Sequence, residues 1–186
     1  MTPECAWAIR SAEPDDAEAI AAVAGAAWRA TYAAILGPDA IERFVAGAYS
    51  HASVRRRLEI ADRFDVAVTT PGDEVVGFAE WRRTVPDEAE LVATYLLPAW
   101  QRRGIGRALH DVALGSYRGR VARLTVQLLR DNVAALAFYR SLGYGAPVHG
   151  TWDAFGQSIP DLRLTLHLGE PSPATSRRDP STSITR

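Results

Sequence analysis

The 186-residue chain contains no lysine and a single cysteine, Cys5. Without lysine, Schiff-base chemistry is closed to it, and all its fixed positive charge sits on arginine, whose planar fork suits carboxylate and phosphate. With one cysteine there is neither an internal disulfide nor a clustered thiolate metal site, which fits a reducing compartment. Long apolar runs are also missing. Nothing approaches the ~18 residues that would read as a membrane-crossing helix, and the N-terminus carries Glu4 and Asp15 rather than a basic cluster ahead of an apolar stretch. A soluble, cytoplasmic protein is expected. Strong charge of either sign is absent too: the net charge is -1, so neither nucleic acid nor a membrane surface is expected as the main partner. The four histidines, His51, His110, His149 and His167, are scattered without metal-ligand spacing, and no metal is expected.

What is present suits one ordinary domain with a real core, since 47% of residues are hydrophobic and 23% charged. Residues 1–168 are assigned to that domain. From 169 to 186 proline, serine, threonine and charge dominate, and a flexible tail is expected there. Ala6 to Arg10 reads as a short strand, and helix-start signals around Pro14 lead into a helix to about Ala30, with Ile20, Val23, Ala24, Ala27 and Trp28 at helical spacing. Trp28 and Tyr32 lie at its end, where two readings stay open, core or pocket wall. Gly37-Pro38-Asp39 breaks the chain before a second helical region to about Tyr49, and Ser50 has the chemistry of an N-cap for a third. Within that third piece Arg55, Arg56 and Arg57 read as a solvated face, with an anion site as the alternative.

Phe64 to Thr69 and Val75 to Val85, joined by Pro71-Gly72-Asp73-Glu74, predict a hairpin that places Glu80 and Trp81 on opposite faces of its second strand. The strand that starts at Glu90 extends this to an antiparallel meander. The order then changes to helix (Gly104 to about Tyr117), strand (Arg123 to Leu129) and helix (Asn132 to Leu142), which implies a crossover and one locally parallel pair. Gly143 stops the last helix. Tyr144 to Thr151 and Leu162 to Leu168 read as two further strands.

The chain is organised around Glu90 to Arg107. Pro98 ends the apolar run Leu91 to Leu97, and Gly104 and Gly106 let the backbone coil before a helical face begins at Ala108 and Leu109. A helix opened this way points bare N–H groups and the positive end of its dipole at an anion. Arg102, Arg103 and Arg107 add fixed charge at the same spot. The stretch reads as a cradle for a diphosphate.

Gln101-Arg102-Arg103-Gly104-Ile105-Gly106, together with Asn132-Val133-Ala134-Ala135-Leu136-Ala137-Phe138-Tyr139 and the Gly143-Tyr144 pair behind it, resembles the GNAT superfamily of acyl-CoA N-acyltransferases over about residues 6–168. The resemblance implies an α/β (α+β) fold: a mixed, mainly antiparallel sheet with a central splayed parallel pair and flanking helices. It implies acetyl-CoA as co-substrate, with the diphosphate on Gln101 to Arg107 and the pantetheine arm along Tyr95, Leu96 and Leu97, where the family carries a bulge. Asn132, Ala135 and Phe138 would complete that site, and Tyr139 would act as general acid for the leaving thiolate. Glu90 precedes Gln101 by the same spacing as the catalytic glutamate of the histone-acetylating branch, so it is the first candidate for general base, with Glu80 its competitor and a water chain the third option. Trp28, Tyr32, Glu80, Trp81 and Trp152 are the candidate acceptor pocket, for a small-molecule or peptide primary amine. A homodimer is left open. The alternative function is a non-catalytic acyl-CoA-binding sensor on the same fold.

Overall fold

The computed structural model describes residues 6–170. Cys5 and most of the expected tail lie outside the described residues. β1 (Ala6–Ser11) leads through a short 3-10 turn into α1 (Ala17–Tyr32), and the turn is held by Asp16, whose carboxylate accepts from the Glu13 N–H at 2.7 Å and from Arg10 at 2.7 and 2.9 Å. Pro38 opens α2 (Pro38–Ala48) at a position where no N–H is needed. Ser50 caps α3 (His51–Ile60), accepting from the Ser53 N–H at 3.2 Å. Of the three arginines in α3, Arg55 and Arg56 are exposed as expected, but Arg57 turns inward. No helix among the described residues is long and apolar enough to cross a membrane.

The meander follows as β2 (Arg63–Thr70), β3 (Val75–Val85) and β4 (Glu88–Leu96). Then come α4 (Ile105–Tyr117), β5 (Arg123–Leu129), α5 (Val133–Ser141), β6 (Val148–Ala154) and β7 (Gln157–His167). They build one seven-stranded sheet in the order β1-β2-β3-β4-β5-β7-β6. β4 and β5 are parallel, and the other neighbours are antiparallel.

The last two strands differ from the sequence reading. β6 starts four residues later than expected, because Tyr144 drops into the core, where its hydroxyl lies 3.3 Å from His110 Nε2. β7 starts five residues earlier, running through Pro160. There the Pro160 carbonyl faces Arg130, just past the end of β5, and accepts its N–H at 3.0 Å; the missing proline N–H therefore lies on the side where no ladder continues.

Two clusters pack on opposite faces of the sheet. One joins Leu109, Ala113 and Tyr117 of α4 and Tyr139 of α5 to Trp81, Leu91, Leu124 and Leu164. The other joins Ile20, Val23 and Trp28 of α1, with Ile41 and Val54, to Val66, Phe78 and Ala93.

The change that creates the site is in β4. Leu91 pairs with Trp81 and Ala93 with Glu80, so Val92 is an extra residue, a β-bulge. Because side chains alternate, one extra residue reverses the phase: Ala89 and Leu91 belong to the α4 face, whereas Ala93 and Tyr95 belong to the α1 face. Pairing between β4 and β5 stops at the same place, since its last partners are Leu91 and Val126. Beyond it the two parallel strands diverge.

Candidate active site

A cleft of about 520 Å³ opens where β4 and β5 part. Its base is the start of α4. Arg102 has φ 62° and Gly104 φ 84°, so the turn into the helix is coiled by two left-handed residues, one of them bearing a side chain against a steric preference of roughly 1–2 kcal/mol. Such alternation turns successive N–H groups the same way and makes a concave anion nest. The N–H groups of Ile105, Gly106 and Arg107 follow in the first helical turn, where no carbonyl lies behind them in the helix. Gln101, Arg102 and Arg107 line the cleft around this base. Gly106 lines it too, and a Cβ there would meet the Phe138 ring at 3.4 Å, so a bare backbone keeps the passage between α4 and α5 open. This is a good fit for the diphosphate and arm of an acyl-CoA.

The walls are Tyr95 and Leu96 of β4 and, from the other side, Asn132, Ala135, Phe138 and Tyr139. Asn132 does two things. Its Oδ1 accepts the Ala135 N–H at 3.1 Å and caps α5, and the residue also lines the cleft beside Tyr32. Tyr139 is 7% exposed. Burial pushes its hydroxyl well above the usual tyrosine range, with a partly offsetting hydrogen bond to Thr94, so it is a protonated donor at neutral pH.

A second cleft, about 790 Å³, lies on the α1 face of the sheet. Trp28, Phe44, Tyr49 and Trp152 give it aromatic walls, and Phe44 stacks on Trp28 with ring centroids 3.9 Å apart. Glu90, half-buried on β4, lines it. The two clefts share Tyr32, Leu91, Val92, Tyr95, Gln127 and Leu128, so they meet at the bulge and the opened strand pair.

Several expected site residues lie elsewhere. Trp81 is 0% exposed and packs among Tyr117, Leu109 and Leu124 on the opposite face, so it is core and does not line the second cleft. Glu80 is also 0% exposed: Arg57 holds Oε2 through Nε at 2.7 Å and again through Nη2, and Arg82 holds Oε1 at 2.8 Å. Both its oxygens are committed to guanidinium groups, which removes it as a base. Leu97 does not line the first cleft. Its N–H donates to the Val76 carbonyl at 2.9 Å and its carbonyl accepts from Trp100 at 2.8 Å, so its N–H is not available to an arm. Arg103 stacks over Trp100 at 4.8 Å rather than lining the cleft. The side chain of Ile105 is fully buried, so only its N–H can contribute.

Sequence reasoning passed over Phe44, Tyr49, Arg56, Arg57, Arg82, Gln127 and Asp161 in the second cleft. Gln127 carried a signal, being a lone amide inside an apolar strand. Arg57 reaches Glu80 across 23 positions of chain, and no local pattern marks that. Among the described residues no group of three or more His, Cys, Asp or Glu side chains is placed to hold a metal ion.

A mainly antiparallel sheet split at one parallel pair, with a glycine-turn helix aimed at the split, is the N-acyltransferase type of α/β fold. The chain belongs to the acetyltransferase (GNAT) family, whose model matches residues 28–144. It is similar to the N-alpha-acetyltransferase RimI of Mycobacterium tuberculosis, 45% identical over 76 residues, which are 39% of this chain and 47% of that protein. It is also similar to the [ribosomal protein bS18]-alanine N-acetyltransferase of Escherichia coli K12, 40% identical over 63 residues, 33% of this chain and 43% of that protein. The chain thus spans less than half the length of these curated relatives. Among solved structures, the PaiA N-acetyltransferase of Thermoplasma acidophilum, in complex with coenzyme A, superposes with a TM-score of 0.70 at 22% identity over 85% of this chain and 98% of that one, a likeness of fold.

Proposed function

We propose that the protein transfers the acetyl group of acetyl-CoA to a primary amine by direct attack in a ternary complex. The observation that carries this is the meeting of two clefts of different character at the β4 bulge. The first has the anion nest and a narrow passage between α4 and α5; the second is aromatic, with a carboxylate, and reaches the junction from the other face of the sheet. Two substrates entering from opposite faces meet only there, and holding them in that geometry supplies much of the rate.

In the reaction the amine nitrogen attacks the thioester carbonyl, the C–S bond breaks, and Tyr139 gives its proton to the departing sulfur. An alkyl ammonium with a pKa of ~10.4 must first lose its own proton. Glu90, which lines the acceptor cleft, accepts it directly or through water. The acceptor is a small-molecule amine or a peptide N-terminus; the names of the Escherichia coli relatives specify a protein alanine. Thiol release from acetyl-CoA, followed across a panel of amines and N-terminal peptides, tests the proposal. Release with at least one class is expected, and silence across the panel with acetyl-CoA bound would leave a binding protein instead.

A further inference from the structure

Charge is sorted across the floor of the acceptor cleft. Arg56 and Arg57 of α3 and Arg82 of β3 border one side, while Glu90 of β4 and Asp161 of β7 border the other. Arg82 and Glu90 are direct cross-strand partners, so the residues of opposite sign stand on adjacent strands with backbones about 5 Å apart. The positive side is not internally balanced. Arg57 and Arg82 both bind the single carboxylate of Glu80, and Arg82 uses Nε and Nη2 for it, at 3.0 and 2.8 Å. Arg56 has no ionic partner among the described residues. Asp161 stands two strands and four residues away from Glu90, is 4% exposed and accepts the side-chain amide of Gln127 at Oδ2, which leaves Glu90 as the carboxylate opposite the arginines.

We infer that the acceptor is a zwitterion, a free amino acid with an apolar or aromatic side chain, its ammonium drawn to Glu90 and its carboxylate to Arg56 and Arg82. This rests on the reading of the second cleft as the acceptor site. An amine and a carboxylate on one carbon can reach side chains of opposite sign on two adjacent strands, and the rings of Trp28, Phe44 and Trp152 suit the side chain. A peptide N-terminus puts a neutral carbonyl where the arginines are. Its binding would strip water from the surplus guanidinium charge without giving that charge a partner, which is the costly arrangement.

The test compares L-methionine and L-phenylalanine with their amides and with tripeptides beginning in the same residues, by thiol release from acetyl-CoA, on the full chain. The free acids are expected to exceed the amides in kcat/KM by roughly tenfold or more, the scale of one charge-assisted contact. Arg56→Gln and, separately, Arg82→Gln should each shrink that ratio several-fold while the melting shift produced by acetyl-CoA persists. Amides or tripeptides used as well as the acids would overturn the inference and leave acetyl transfer standing. No melting shift with acetyl-CoA would remove the transferase reading and this inference with it.

Discussion

Tyr139 is the residue whose surroundings say most about its chemistry. Burial holds its proton, with a lesser pull the other way from Thr94, so the hydroxyl is still protonated where a free tyrosine would have ionised. That is the state a proton donor to a thiolate needs. Tyr139→Phe keeps the ring packed against Phe138 and Tyr144 and removes only the donor. It should lower kcat by about 10²-fold or more, the usual range of a positioned acid, with acetyl-CoA affinity within a few-fold; an unchanged kcat in steady-state assays would take Tyr139 out of the mechanism. Rate should not fall between pH 8 and 10 through loss of this proton, because the raised value moves its titration above that window. Glu90→Gln should depress the rate most at low pH, where few acceptor amines are neutral, and less as pH rises and the amine no longer needs a base. A uniform loss at every pH would point to binding rather than proton removal. Side-chain direction is where sequence reading worked least well at this scale. Alternation put Glu80 and Trp81 on opposite faces of β3, correctly, but both were assigned to the acceptor. Which face meets a helix, and that Arg57 arrives from α3 to claim Glu80, follow from packing alone.

At the scale of elements, most of the fold was legible because its signals are local. The Ser50 cap, the Pro71–Gly72 turn of the β2–β3 hairpin and the glycine turn before α4 are all set by neighbouring residues, and the structure has each of them. The bulge at Val92 was known only through resemblance, since an extra residue in one strand is defined by the strand opposite. It is nevertheless the feature that divides the core. Deleting Val92 would restore simple alternation, directing Ala93 and Tyr95 toward the α4 face and away from Trp28, Tyr49 and Phe78. Loss of cooperative melting is expected for this deletion; a variant that melts normally would mean the phase change is dispensable. Gly104→Ala is a milder test. No atom lies within 4 Å of the position a Cβ would take, so the cost is backbone strain at φ 84°, roughly 1–2 kcal/mol. If the turn relaxes to relieve it, the nest opens. Acetyl-CoA affinity, measured by calorimetric titration, should then fall several-fold with little change in the KM of the acceptor.

The whole molecule carries its tyrosines in an unusual way. The chain has six, and all six lie in or against the two core clusters and have hydroxyls raised above the ordinary range, chiefly by burial. Tyr117 adds a bond that only the neutral form can make, donating to Asp62 at 2.6 Å. The sign of the effect on stability follows from proton counts. Below the unfolded value near 10 both states hold these protons, and stability does not depend on pH through them. Above it the unfolded chain releases protons that the native state retains, so the native state binds more and stability falls as pH rises. At about pH 11, one unit above the unfolded value, each tyrosine still protonated in the native state weakens folding by about 1.4 kcal/mol, and three or four of them approach the ~5–15 kcal/mol that holds a domain together. No tyrosine is exposed to soften the transition by titrating first. Phenolate absorbance should therefore stay flat through pH 10 and rise only with the loss of far-UV circular dichroism, in one steep step. A fraction of the tyrosines ionising reversibly near pH 10 in the folded protein would show that the tyrosines beside the bulge are open to water, and the cleft junction where two substrates are to meet would then be wet rather than sealed.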